Sequence, residues 1–132
     1  MRRLVARTLA QMYGPEFEEA TAPAQVALGS RAGINAAVHA ARAALELDSN
    51  LVLVSLDGVG AFDHVCRAEI FSRLNELPTA RDIAPFVRMF YGQPSTYLHT
   101  DATGMVVDIV QGEGGEQGNP LMPALFNLGI NR

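Results

Sequence analysis

Asp57 closes a run of apolar residues, Leu51-Val52-Leu53-Val54-Ser55-Leu56. A carboxylate at the end of a buried apolar strand is costly unless something compensates it, and a divalent cation is a common compensator. The same residue suits a turn Asp that caps the next helix, so two readings stand. Asp63 follows, past Gly58-Val59-Gly60-Ala61-Phe62. It sits where the N-cap of a helix beginning near Val65 is expected. The other chemistry-bearing side chains are scattered. His39, His64 and His99 show no metal-ligand spacing, and Ser55 and Ser72 lack the glycines of a nucleophile elbow. Cys66 stands alone, which excludes an intramolecular disulfide and a cysteine zinc site.

Composition removes several classes. All ten basic residues of the 132 are Arg. A phosphate-binding loop built on Gly-Lys-Ser/Thr is therefore excluded, and so is Schiff-base chemistry at a lysine amine. Two rivals for a strand ending in Asp, a Walker B strand and a phospho-acceptor receiver domain, lean on a Lys elsewhere and fall with it. The loop Gly112-Glu113-Gly114-Gly115-Glu116-Gln117-Gly118 fails the dinucleotide fingerprint, because the third glycine would fall at Gln117. A net charge of −4 provides no basic face of the kind a free-standing nucleic-acid binder uses. Any nucleic-acid role must rest on a local site. No run reaches the roughly 18 apolar residues of a membrane span. Arg7 and Gln11 interrupt the N-terminal segment too early for a signal peptide. An intracellular protein, cytoplasmic or nuclear, without a membrane partner is expected.

The elements that must position these residues read as an α+β pattern. Leu4, Val5, Leu9 and Met12 form an apolar stripe that predicts a helix over 2–13, ended by Gly14-Pro15. Residues 16–29 read as a connector. The Ala-rich stretch 32–46 favours helix. The run 51–56 reads as a strand buried on both faces. Helices are expected over 65–77, with Val65, Ile70 and Leu74 inward, and over 80–91. The alternation in 95–100, the turn Asp101–Gly104 and the return over 105–110 predict a hairpin. The segment 112–118 reads as a flexible loop, and Pro120 suits the first turn of a last helix through 128.

Two segments carry a resemblance. Leu56-Asp57-Gly58-Val59-Gly60-Ala61-Phe62-Asp63-His64-Val65 resembles the first palm motif of reverse transcriptases: an Asp, then Ala-Phe-Asp-x-Val. Gly114-Gly115-Glu116-Gln117-Gly118-Asn119-Pro120-Leu121-Met122-Pro123-Ala124-Leu125-Phe126-Asn127-Leu128 is similar to the next motif, Gln-Gly-x-Pro-Leu-x-Pro before Leu-Phe-Asn. Order and separation also fit, in the style of non-LTR retrotransposon polymerases and, more distantly, group II intron enzymes. Met1–Arg7 and Gln25–Gly29 with Gly33 resemble parts of the fingers more weakly.

The resemblance implies an incomplete fingers and palm of a right-hand polymerase, with helices packed on a small antiparallel sheet. Residues 1–50 would be a fingers-like segment and 51–132 a partial palm, with motifs at 56–65 and 114–128. It implies RNA-directed DNA polymerase activity, a nucleotidyl transfer that uses two Mg²⁺ ions, with an RNA or DNA template-primer and deoxynucleoside triphosphates as partners. Asp57 would be the catalytic metal carboxylate, and the Gly58 carbonyl would help to hold an ion. Phe62 would lie beneath the incoming sugar. Gln117 and Gly118 would line the nucleotide site. Asp63 matches a family position whose role looks structural.

The departures are specific. The family's Tyr-x-Asp-Asp hairpin supplies a second metal carboxylate, and no Asp-Asp pair occurs in this sequence. Glu116 stands where the family often has a basic residue, and Met122 where Ser is common. The chain is thus expected to be a fragment, inactive alone, with doubtful nucleic-acid binding. The alternative expectation is a non-catalytic relic or interaction module derived from a retroelement.

Overall fold

Gly14-Pro15 does not end helical structure; it restarts it. Proline is tolerated in a first turn, where its missing N–H has no helical partner to lose. The chain turns at Tyr13 and re-enters helix at once, giving α1 (Arg2–Met12) and α2 (Gly14–Thr21). The connector expected over 16–29 is corrected in its first part. The inward face of α1 is also corrected: Ala6 is buried, Leu9 is half-buried, and Leu4, Val5 and Met12 are exposed. A computed structural model describes residues 1–131; Arg132, the last residue of the span assigned to the palm-like segment, lies outside them.

The Ala-rich stretch forms α3 (Gly33–Leu47), as its propensity predicts. A four-residue helix, α4 (Ala61–His64), precedes α5 (Arg67–Glu76). A 3-10 turn, Ala80–Ile83, leads into α6 (Ala84–Tyr91), whose Pro85 occupies the first turn. The hairpin follows as β1 (Ser95–Thr100) and β2 (Val106–Gln111), antiparallel, with Ser95 opposite Gln111 and Thr100 opposite Val106. The last element is α7 (Met122–Ile130).

The fold is therefore α+β, but its core is helix on helix. Leu74 of α5, Leu125 of α7 and Phe17 of α2 are fully buried together, with Val65, Ile70 and Leu121 beside them. Ala6 and Phe17, from the N-terminal segment, belong to the same core as residues beyond 60. Polar bonds tie the same parts: Gln25 Nε2 donates to Asn127 Oδ1 at 2.6 Å, and Asn131 Nδ2 to the Ala20 carbonyl at 2.9 Å. Helices packed on a sheet are not what forms. Both strands of the hairpin are exposed along nearly their whole length.

The main correction concerns 51–56. This run forms no strand among the described residues, and Leu51 through Leu56 are exposed. An apolar strand is stable only when neighbouring strands take its backbone groups and its two faces. Among the described residues the sheet is the two-stranded hairpin, and 51–56 is not in it. The apolar face of α3 is uncovered as well, with Ile34, Val38 and Leu47 exposed. No helix among the described residues is long and apolar enough to cross a membrane.

One long-range cap fixes α2 against the start of the 3-10 turn. The Glu16 carboxylate accepts the Thr79 and Ala80 N–H groups, each at 2.9 Å, and the Thr79 hydroxyl. Burial pushes this carboxyl up, but the three bonds outweigh it and hold the group below its usual value. A lowered folded value means stability that is present above the ordinary carboxylate range and lost as pH falls through the lowered one. Glu16→Gln should cost about 1 kcal/mol at neutral pH, as for loss of a helix cap. Thermal melts across pH should show the gap from wild type closing in acid; a gap independent of pH contradicts the assignment.

Candidate functional site

The segment after Asp57 is built around a tight turn. Gly60 takes a left-handed conformation (φ 62°), which glycine adopts without a Cβ penalty. The Asp63 N–H donates to the Gly60 carbonyl at 2.8 Å, starting α4. Asp63 is thus inside a short helix and does not cap α5, contrary to expectation. That cap comes from far away: Glu113 accepts the Arg67 N–H at 2.7 Å. A carboxylate at a helix N-terminus also meets the positive end of the helix dipole.

The glycine-rich loop is not free; it docks backbone to backbone on the same segment. The Gly114 N–H donates to the Val65 carbonyl and the Gly115 N–H to the Phe62 carbonyl, each at 2.8 Å. Gly114 has φ 72°, and a Cβ there would collide with the Asp63 backbone carbonyl. Only glycine satisfies both demands. Gly114 and Gly115 are buried, so the flexible loop expected over 112–118 is corrected for its centre.

Arg67 locks this junction. Its Nε donates to the Gly114 carbonyl and its Nη1 to the Gln93 carbonyl, both at 2.8 Å. The guanidinium carbon lies 5.5 Å from the Tyr91 ring centroid. Arg67 is 5% exposed and has no carboxylate partner among the described residues; its Nη2 is buried without a hydrogen bond. A buried cation is expensive unless fixed dipoles and ring faces replace water. Here two carbonyls and an aromatic ring do so. Tyr91 is shared further: its hydroxyl oxygen accepts Asn119 Nδ2 at 2.7 Å and Arg2 Nη2 at 3.3 Å. Arg2 also bonds Glu116 at 2.9 Å, which pairs one of the loop's two carboxylates with a cation.

A groove of about 720 Å³ opens beside the junction, lined among others by Arg3, Asp63, Tyr97, Glu116 and Gln117. Burial, chiefly, and then the Glu116 carboxylate push the Tyr97 hydroxyl above its usual value. Gly118, with φ 83°, leaves its backbone bare beside Arg3, whose Nη2 lies 3.4 Å from where a Cβ would stand.

Gln117 therefore lies in the groove and Gly118 beside Arg3. Phe62 stands at the junction, half-buried, its ring edge-on to Phe126 with centroids 4.9 Å apart. Asp57 and Gly58 lie on the exposed irregular segment, so the buried-strand placement of Asp57 is corrected. No group of three or more His, Cys, Asp and Glu among the described residues is placed to hold a metal. Asp57 with the Gly58 carbonyl falls short of the oxygens that a two-ion site requires.

Sequence reasoning misses Arg3, Tyr97 and Arg67. One signal was available for Arg67: a cation in the first turn of a helix opposes the helix dipole, so its presence there calls for another partner. No protein-family model matches the chain, and no curated protein or solved structure matches it.

The junction makes Gly114 intolerant of any side chain. Gly114→Ala should destabilise the protein by about 2 kcal/mol or more, combining left-handed strain with the clash. Gly112→Ala, in open space two residues away, should fall within about 0.5 kcal/mol of wild type. Urea denaturation of both variants checks this; equal losses contradict it.

Proposed function

We propose that this chain is a fingers-and-palm portion of an RNA-directed DNA polymerase, which adds deoxynucleotides to a primer 3′-hydroxyl under template direction. The observation that carries the reading is the junction. The two segments that resemble consecutive reverse transcriptase motifs, far apart in sequence, are bonded through Gly114–Val65 and Gly115–Phe62. A nucleotide site needs such a rigid floor, since positioning supplies much of the rate in phosphoryl transfer.

In this reading Gln117 and Gly118 hold the incoming nucleotide, with Gly118 allowing close approach of its backbone. Phe62 excludes a 2′-hydroxyl by its bulk. Asp57 and the Gly58 carbonyl are the chain's contribution to metal binding. Mg²⁺, when bound, stabilises charge on the attacking and leaving oxygens. The exposed run 51–56, rich in Val and Leu, is the palm strand, and strands bearing the second carboxylate pair with it. Without that carboxylate the chain binds nucleotide but does not extend a primer. A second reading, a non-catalytic module that docks a partner, draws on the same uncovered surface of 51–56 and α3.

Equilibrium binding separates the two. The purified chain should bind deoxynucleoside triphosphate, and Gln117→Ala should weaken binding about tenfold, roughly 1.4 kcal/mol. Phe62→Ala should erase any preference for deoxy over ribo. Primer extension by the chain alone should give no product. Absence of nucleotide binding, or Asp57-dependent incorporation by the isolated chain, overturns the proposal as stated.

A further inference from the structure

α3 is an amphipathic helix that packs on no part of the core. Ile34, Val38, Ala41 and Leu45 recur at the spacing of one helix face. No residue of α3 belongs to the core, and none of 51–56 does. A helix of this length draws its stability mainly from packing its apolar face and is marginal in water alone. Val38 and Leu45 of α3, with Leu53 and Val54 of the run 51–56, line one groove of about 590 Å³, and all four side chains are exposed.

Two charged residues line the same groove, Arg42 and Glu46. They stand one turn apart on α3, with the cation first, which is the order that pairs less well within a helix. Neither enters an ion pair among the described residues. The groove thus carries one cation and one anion, and its lining charges cancel within a chain of net charge −4. A two-fold axis makes such a patch its own complement, because the same surface meets itself with residues exchanged. Arg42 then faces Glu46 of the partner subunit, and Glu46 faces Arg42 of the partner subunit. The area suffices as well. The exposed apolar residues of α3 and 51–56 offer on the order of 1,000 Å², and a stable interface takes about 800 Å² from each partner.

We infer that the α3 groove is the interface of a two-fold homodimer. The α3 helices of two copies lie antiparallel with their apolar faces together, and two Arg42–Glu46 pairs flank the axis. The dimer goes beyond the polymerase reading and does not rest on the nucleotide site. Its contact uses side chains of 51–56, whereas further strands pair with the backbone groups of that run.

Analytical ultracentrifugation of the whole chain across micromolar concentrations tests this. Wild type should pass from the 14.2 kDa monomer to a species of twice that mass and no larger. Arg42→Glu and Glu46→Arg each set like charges across the axis twice, and each should weaken the dimer about tenfold or more. Mixed in equal amounts, the two variants should restore a dimer close to wild type in affinity, because every Glu again faces an Arg. The double variant Arg42→Glu/Glu46→Arg should dimerise like wild type. Thermal melts at concentrations where all are monomeric should agree with wild type, because both side chains are exposed. A wild type that stays monomeric, or that grows into open-ended assemblies, overturns the inference. So does a dimer that the single charge reversals leave intact, or a loss that mixing does not rescue.

Discussion

Two backbone hydrogen bonds, from Gly114 to Val65 and from Gly115 to Phe62, are the contact on which the rest of the molecule depends. They join a turn-and-helix segment to a glycine-rich loop with no side chain between them. Everything nearby is arranged to protect them. Arg67 reaches across to the Gly114 carbonyl, Glu113 caps the helix from which Arg67 springs, and Tyr91 lies against that guanidinium. A buried cation with carbonyl partners is a demanding arrangement, since removing either carbonyl leaves a charge in low dielectric. That demand makes the loop's course specific. It places Gln117 and Gly118 beside α1 and starts α7 in a fixed direction, with Asn119 accepting the Leu121 N–H at 3.1 Å.

The energetics divide the molecule in two. One part is a helical core in which α5, α7 and α2 bury Leu74, Leu125 and Phe17 completely. The other part is apolar but uncovered: α3, the irregular run from Leu51 to Val59 and the hairpin. Large uncovered apolar surfaces mark sites of association. Asp57 belongs to the uncovered part, and the groove lies where the two parts meet, lined by Arg3, Asp63 and Gln117 and by Tyr97 of the hairpin. The proposed polymerase reading unites them by assigning further strands to 51–56.

Local rules made much of the fold legible. α3 follows from an alanine-rich stretch, α5 from Val65, Ile70 and Leu74 on one side, and the hairpin from alternation around Asp101–Gly104. Rules of the same kind fail where the deciding partner is distant. The run 51–56 has the composition of a strand, but strand formation requires another strand, and among the described residues β1 and β2 pair with each other and not with this run. Asp63 obeys the local preference for an N-cap, yet Glu113 takes that task from 46 residues away. Gly14-Pro15 is a stop signal and a start signal alike, and only packing of Phe17 decides which. Near the groove, Gln117 and Gly118 are singled out by the resemblance to a motif, whereas Arg3 and Tyr97 enter through tertiary contacts that no spacing announces.

The central claim is that the glycine-rich loop is a fixed part of the core and not a mobile connector. Native-state hydrogen exchange, resolved by residue, tests it most directly, because exchange reports the free energy of opening each bond. The amides of Gly114 and Gly115 should exchange as slowly as that of Leu125 in the middle of α7, opening only with global unfolding. Exchange of Gly114 and Gly115 at the rate of the exposed Gly112 would contradict the account.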